Sequence, residues 1–196
     1  RQNLKIIHAD IRDFLKNTGY RIPNTQYKVL GNIPYYLTSH LLRLLLESPI
    51  KPSLIVLMIQ KEVAERVMAQ PPKMNLLSAS VQFFSKPEII CYVPRTAFHP
   101  EPKVDSAVIK ITPLPAKILK QNLGGQAPQS FFRTIKAGFK QPRKLLINNL
   151  SKNLNFKKAY IQKVFLQSNM PLNTRAQNLS IEEWISLSSL LIKNIV

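Results

Sequence analysis

Cysteine is nearly absent from this chain of 196 residues: Cys91 stands alone, so no internal disulfide is possible and a reducing compartment fits. Flanked by Ile90 and Tyr92, it reads as a buried apolar residue and not as a nucleophile. Glycine is scarce too. Its 5 copies are scattered and form neither a G-x-G-x-x-G nor a Walker pattern, so no phosphate-cradling loop is present. His8, His40 and His99 do not cluster at metal-ligand spacing, and neither a zinc set nor a hydrolytic triad is legible, so no metal is expected. No apolar run approaches the ~20 residues needed to span a bilayer. The longest, Leu54 to Ile59, is far shorter, and nothing resembles a signal peptide, so a soluble, cytoplasmic protein without a membrane partner is expected. The first residue is Arg1, not Met, and it directly precedes an apolar stretch, which suggests a segment of a longer protein.

Acidic residues are the other deficit. There are 10 against 28 lysines and arginines, a net +18, which points to a polyanionic partner. Residues 1–113 carry 15 basic and 8 acidic side chains, whereas residues 114–196 carry 13 basic and 2 acidic. No carboxylate occurs between Ser106 and Ile181. A solvated helix face normally mixes both signs, so nucleic acid is favoured over it. Acidic lipid is disfavoured because no strongly basic amphipathic helix also carries exposed Trp or Phe at its apolar edge.

The apolar pattern gives an α/β order of elements. Leu4 to His8 reads as a short buried strand, followed by a brief helix from Ile11 to Lys16 and a polar loop from Asn17 to Gln26. A strand at 27–30 precedes a helix from Ser39 to Glu47 with a wide leucine face. Ser53 to Ile59 is apolar without alternation, the pattern of a strand buried on both faces of a parallel sheet. Helices are expected over Lys61–Ala69 and Asn75–Phe84, with Asn75 as N-cap. Glu88–Val93 and Ser106–Thr112 read as an antiparallel pair at the sheet edge. Beyond Pro115 only helical periodicity remains, near Gln129–Phe139, Arg143–Ser151, Lys157–Gln167 and Ile181–Asn194, the last opened by Ser180 and Glu183 at capping-box spacing. A domain boundary is therefore set near Pro115, dividing residues 1–115 from residues 116–196, with Gly124-Gly125 as a flexible connector.

Three features fall at strand ends on one expected sheet edge, where open α/β sheets bind ligands: Asp10, Asn32-Ile33-Pro34-Tyr35, and Phe98. Pro34 pushes Ile33 into extended backbone and leaves acceptors facing outward instead of spent in a helix. Asn32 adds an amide oxygen, and Tyr35 a ring on which a base can stack for roughly 1–3 kcal/mol. Together they describe a clamp for a planar group bearing an amino donor, although an Asn-X-Pro turn accounts for the four residues equally well. Phe98, in a proline-rich loop, is either a second stacking face or a hydrophobic plug over the sheet edge. Asp10 either caps the following helix or accepts from an adenine amino group or a ribose hydroxyl.

Gly31-Asn32-Ile33-Pro34-Tyr35 is similar to the target-amine motif of the ribosomal RNA adenine dimethyltransferase family. The run Val93-Pro94-Arg95-Thr96-Ala97-Phe98-His99-Pro100-Glu101-Pro102-Lys103-Val104-Asp105-Ser106 resembles its second signature, F-x-P-x-P-x-V-x-S. Phe139 with Arg143-Lys144, and Arg175-Ala176 with Leu179, look like its C-terminal helical domain. The second signature is the more specific, since the first is shared with many amino-methylating enzymes. The resemblance implies an α/β Rossmann-like methyltransferase sheet followed by a small all-helical domain, S-adenosyl-L-methionine as cofactor, and N6-dimethylation of adenines in a small-subunit rRNA hairpin loop during ribosome assembly. Asp10 and Ile11 would hold the cofactor's adenine, and Asn32 would lie between its methyl group and the target amine. The Pro34 carbonyl would accept from that amine, while Tyr35 and Phe98 sandwich the base. Lys136, Lys140, Arg143 and Lys144 would grip RNA, on a protein acting as a monomer on small-subunit rRNA or the pre-small subunit.

His8 and Tyr36 depart from the family's commoner residues without disabling the site. The family's Gly-rich cofactor loop and ribose-binding acid are not in this sequence, so the chain by itself is expected to bind cofactor poorly, to fold incompletely and to be inactive. Two alternatives stay open: a large-subunit rRNA adenine methyltransferase of the resistance type, and a nucleic-acid-binding factor that kept the fold and lost catalysis.

Overall fold

The computed structural model describes residues 4–16, 27–123 and 128–193. Four strands form one mixed sheet: β1 (Lys28–Asn32), β2 (Leu54–Gln60), β3 (Ser85–Val93) and β4 (Ser106–Pro113), in the order β1-β2-β4-β3. β1 and β2 run parallel, from Lys28 opposite Leu54 to Asn32 opposite Met58. β4 enters between β2 and β3, antiparallel to both, so the expected hairpin pairing exists but its second strand is interior.

Helix α1 (Ile11–Lys16) is short, and a 3-10 turn at Tyr35–Leu37 leads into α2 (Thr38–Glu47). Leu41, Leu42, Leu45 and Leu46 of α2 recur at helical spacing and are all buried, each worth roughly 1.5–3 kcal/mol. α3 (Lys61–Met68) and α4 (Leu76–Phe84) pack on β3, and α3 also on β2 and β4. Asn75 caps α4 as expected: its Oδ1 accepts from Leu77 and Ser78 N–H at 2.9 and 3.0 Å, and Ser78 Oγ accepts from Asn75 N–H in return.

After the sheet come α5 (Ala116–Leu123), α6 (Pro128–Gly138), α7 (Leu146–Leu154), α8 (Lys158–Gln167) and α9 (Ile181–Lys193). The expected capping box opens α9, with Ser180 N–H donating to Glu183 Oε2 at 2.7 Å and Glu183 N–H to Ser180 Oγ at 3.2 Å. Ring contacts join this helical segment to α4: Phe83 stacks on Phe131 at 4.0 Å and Phe84 on Phe132 at 5.4 Å. One hydrophobic core runs from Ile55 of the sheet to Trp184 of α9.

Several sequence expectations change. Leu4 to His8 is not a strand; Leu4 and Ile6 lie 83% and 87% exposed, because apolar residues become a strand only with a ladder partner and no described strand pairs with them. β2 is not buried on both faces. Ile55, Leu57 and Ile59 are buried while Val56 and Met58 are half-buried, since the helices cover one side; neighbouring Leu30 on β1 is exposed. Cys91 is exposed, on edge strand β3, where a register shift between Ile89 and Cys91 sets it opposite half-buried Val108. α5 forms where no element is expected between Pro115 and the Gly124-Gly125 connector, its first turn held by the Pro115 carbonyl, which accepts from Ile118 and Leu119 N–H. The loop expected at Asn17–Gln26 and the connector at Gly124-Gly125 lie outside the described residues.

Candidate functional site

β1 ends on Asn32, and the chain then turns through Ile33 and Pro34 into the 3-10 turn that carries Tyr35. Pro34 is extended, with φ −55° and ψ 134°. Opposite lies the proline-rich loop between β3 and β4, where a second 3-10 turn, Arg95–Ala97, delivers Phe98. Asn32, Ile33, Pro34, Tyr35, Phe98 and Ser106 line one open cleft of about 350 Å³, completed by Pro100 and Pro102. That volume sits at the lower end of small-molecule sites. Asn32 is exposed, and among the described residues its side-chain amide makes no hydrogen bond, so its carbonyl oxygen is available to a ligand's N–H.

The Pro34 carbonyl departs from expectation. It accepts from Leu37 N–H at 3.0 Å, because the 3-10 turn that orients Tyr35 needs a backbone acceptor there. One of its two lone pairs is thus engaged and the other remains for a ligand. Tyr35 is half-buried and its hydroxyl lies 3.1 Å from Oγ of buried Ser106. In the sequence Ser106 stands only as the end of a signature and the start of a strand; the signal for a site role is a lone hydroxyl residue opening the apolar run Ala107-Val108-Ile109.

Asp10 and Ile11 do not line this cleft. Asp10 precedes α1 and turns its carboxylate on Arg12, accepting from the backbone N–H at 2.8 Å and from the guanidinium at 2.6 Å. These bonds hold its pKa down from 3.8 to about 2. The cap and the ligand-accepting roles are thus both compatible with an exposed carboxylate whose described partner is Arg12. Of the three residues expected at the cofactor, Asn32 lines the cleft and Asp10 and Ile11 do not.

On the helical side, Lys140, Arg143 and Lys144 are exposed in the turn between α6 and α7, with Pro142 among them. The helix expected from Arg143 begins only at Leu146. Lys144 N–H donates to the Gln141 carbonyl in a turn, so the cations project from a turn and not from a helix flank. Lys136 stands apart from that turn, lining an apolar cleft of about 250 Å³ between α2, α4 and α6 with Arg43 and Arg66. Arg175 borders a larger polar cavity of about 730 Å³ beside α9. Among the described residues, no group of three or more His, Cys, Asp or Glu could hold a metal ion, and no helix is long and apolar enough to cross a membrane.

Known proteins resemble this chain in sequence and in fold. The chain is 40% identical over 184 residues to ribosomal RNA small subunit methyltransferase A of Dehalococcoides mccartyi, covering 93% of this chain and 61% of that protein. It is 40% identical over 191 residues to the protein of the same name from Onion yellows phytoplasma, covering 95% and 69%. The chain thus spans about three fifths of the Dehalococcoides relative. A solved dimethyladenosine transferase from Plasmodium falciparum superposes with a TM-score of 0.68 at 27% identity, over 82% of this chain and 65% of that one. The 23S rRNA methyltransferase ErmE shares the fold, with a TM-score of 0.64 at 20% identity over 91% and 69%. These neighbours identify the sheet as part of a Rossmann-like methyltransferase fold. The family model for ribosomal RNA adenine dimethylase matches residues 1–193, and the chain belongs to that family.

Proposed function

We propose that this chain carries the target-base side of an enzyme that dimethylates adenine N6 in a small-subunit rRNA hairpin loop. The observation that carries the reading is the convergence of Asn32, Pro34, Tyr35 and Phe98 on one cleft at the sheet edge. S-adenosyl-L-methionine, when bound, supplies an electrophilic sulfonium methyl. The chain's own residues deal with the amine. An adenine amine is a poor nucleophile because its lone pair is delocalised into the ring. Acceptors at Asn32 Oδ1 and the free lone pair of the Pro34 carbonyl favour the pyramidal amine by taking its two N–H bonds. Fixed acceptors need no reorganisation as the reaction proceeds, and alignment supplies most of the rate without a catalytic base. Tyr35 and Phe98 stack the extruded base, which a hairpin loop surrenders at low cost.

In this reading residues 1–115 belong to the catalytic domain and residues 116–196 form an RNA-binding domain. Lys140, Arg143 and Lys144, with Lys136 nearby in sequence, meet the phosphates flanking the target. Asp10 and Ile11 are assigned to the cofactor's adenine edge. The protein works in the cytoplasm, as a monomer on the pre-small subunit.

The test is a methyl-transfer assay of the full-length protein on assembly-intermediate small subunits, followed by mapping of modified adenines. Dimethyladenine in a small-subunit hairpin loop is the expected result. Modification confined to the large subunit would replace the substrate assignment, and salt-sensitive RNA binding without transfer would identify a binding factor instead.

A further inference from the structure

We infer that Asp105 and Ser106, the last residue before β4 and its first, are a positioning pair that sets the gap between the two aromatic walls of the cleft. This rests on the cleft being the adenine site proposed above. Ser106 is 1% exposed, and its backbone is held between two strands, opposite Gln60 of β2 and Val93 of β3. Its hydroxyl is therefore a fixed post in the sheet. Tyr35 offers one polar atom, and that atom lies 3.1 Å from Ser106 Oγ. A ring tethered at its far end is held against swinging about its Cα–Cβ bond, so the position of the first wall is set by β4 together with the turn that carries the tyrosine.

Asp105 governs the second wall. Its Oδ1 accepts from Arg95 N–H at 3.1 Å, at the first residue of the 3-10 turn, and the Arg95 carbonyl accepts from Phe98 N–H at 3.2 Å. The Asp105 carbonyl accepts from Lys61 N–H at 3.0 Å, which fastens the same residue to the start of α3. A chain of two hydrogen bonds thus runs from Asp105 to the Phe98 backbone. Both walls are rooted in one dipeptide, so the separation of Tyr35 and Phe98 is set where the loop between β3 and β4 joins the sheet. The Arg95 to Glu101 ion pair, 2.9 Å long, has both side chains about half exposed and adds little to this hold.

The test uses the full-length protein, methyl transfer to small-subunit particles, and a hairpin carrying 2-aminopurine at the target position. Misplacing a bound group by about an ångström can cost on the order of a hundredfold, and a freed ring shifts by less, so Ser106→Ala and Tyr35→Phe should each lower kcat about tenfold. RNA binding should not change. Combining them should cost no more than either alone, because both remove the same bond. Asp105→Ala should add its own loss through the other wall, and Asp105→Asn, which keeps Oδ1 as an acceptor, should restore most of it. In each slowed variant the quenching of bound 2-aminopurine should weaken in step with kcat.

Glu101→Gln should match the wild type. Multiplicative losses for Ser106→Ala and Tyr35→Phe would overturn the inference. So would a Ser106→Ala protein with normal kcat and quenching, or one whose loss is explained by a lowered melting temperature. A wild type that transfers no methyl sinks the proposed function itself, whereas an active wild type with multiplicative variants sinks only the positioning role.

Discussion

In the sheet-bearing half four cations meet carboxylates: Arg12 with Asp10, Arg43 with Glu47, Arg95 with Glu101 and Lys110 with Glu88. The helical half presents Lys140, Arg143, Lys144, Lys152, Lys157 and Lys163 exposed, with no ion pair among the described residues. Exposed pairs stabilise little, so the contrast concerns fields and not folding energy. No charged side chain lines the cleft, so recognition there is left to hydrogen-bond acceptors and rings. On the helices they add, giving a field that attracts a polyanion without selecting a base. In the function proposed above, one half specifies and the other holds.

The comparison is broken most decisively at Asn32. Asn32→Ala in the full-length protein should cut methyl transfer by on the order of a hundredfold or more while leaving RNA affinity nearly unchanged, as measured by methyl incorporation and by filter binding. Normal turnover would remove the acceptor role from the specifying half. The reciprocal change is Arg143→Glu with Lys144→Glu. RNA affinity should fall roughly tenfold or more and log K should depend less steeply on log salt, since each lost phosphate contact removes about 0.9 from the slope on duplex and about 0.7 on single strands. An unaltered slope would move the holding surface away from the α6–α7 turn.

A smaller effect separates charge from packing within the helical half. A Cβ on Gly138 would collide with the Trp184 ring and stand 2.9 Å from Leu146 Cδ1, so Gly138→Ala should destabilise by about 1–3 kcal/mol in denaturant melts. The salt slope should survive, because no cation is touched. The least effect is expected at Asp10. Its carboxylate is held at about 2 against an ordinary 3.8, so the local order that Arg12 confers is fully present above 3.8 and is lost as pH falls through about 2. Arg12→Ala should bring the carboxylate back toward 3.8 in an NMR titration. An unmoved titration would mean that the guanidinium is not what holds Asp10.

Much was legible because its causes are local. The apolar face of α2, the Asn75 cap and the Ser180–Glu183 box follow from spacing alone. Tyr35 and Phe98, 63 positions apart, were named separately from their own loops, and the fold puts them in one cleft. Other features were illegible because they depend on partners. Leu4 to His8 has strand composition but no ladder, and Cys91 has apolar neighbours but an edge position. Arg143 and Lys144 have the periodicity of a helix start, but the helix begins only at Leu146.

The sequence by itself determined what chemistry each half can offer, since residue type, periodicity and charge balance are written in the chain. It placed an amide, a carbonyl and two rings near strand ends, and an unbroken cationic stretch after them. Only the tertiary structure decided how these parts are held. Ser106 touches Tyr35 across 71 residues, and Asp105 ties the Phe98 loop to α3, because β4 inserts between β2 and β3 and brings their ends together. Strand order is a global outcome of pairing and core burial, which no local pattern encodes.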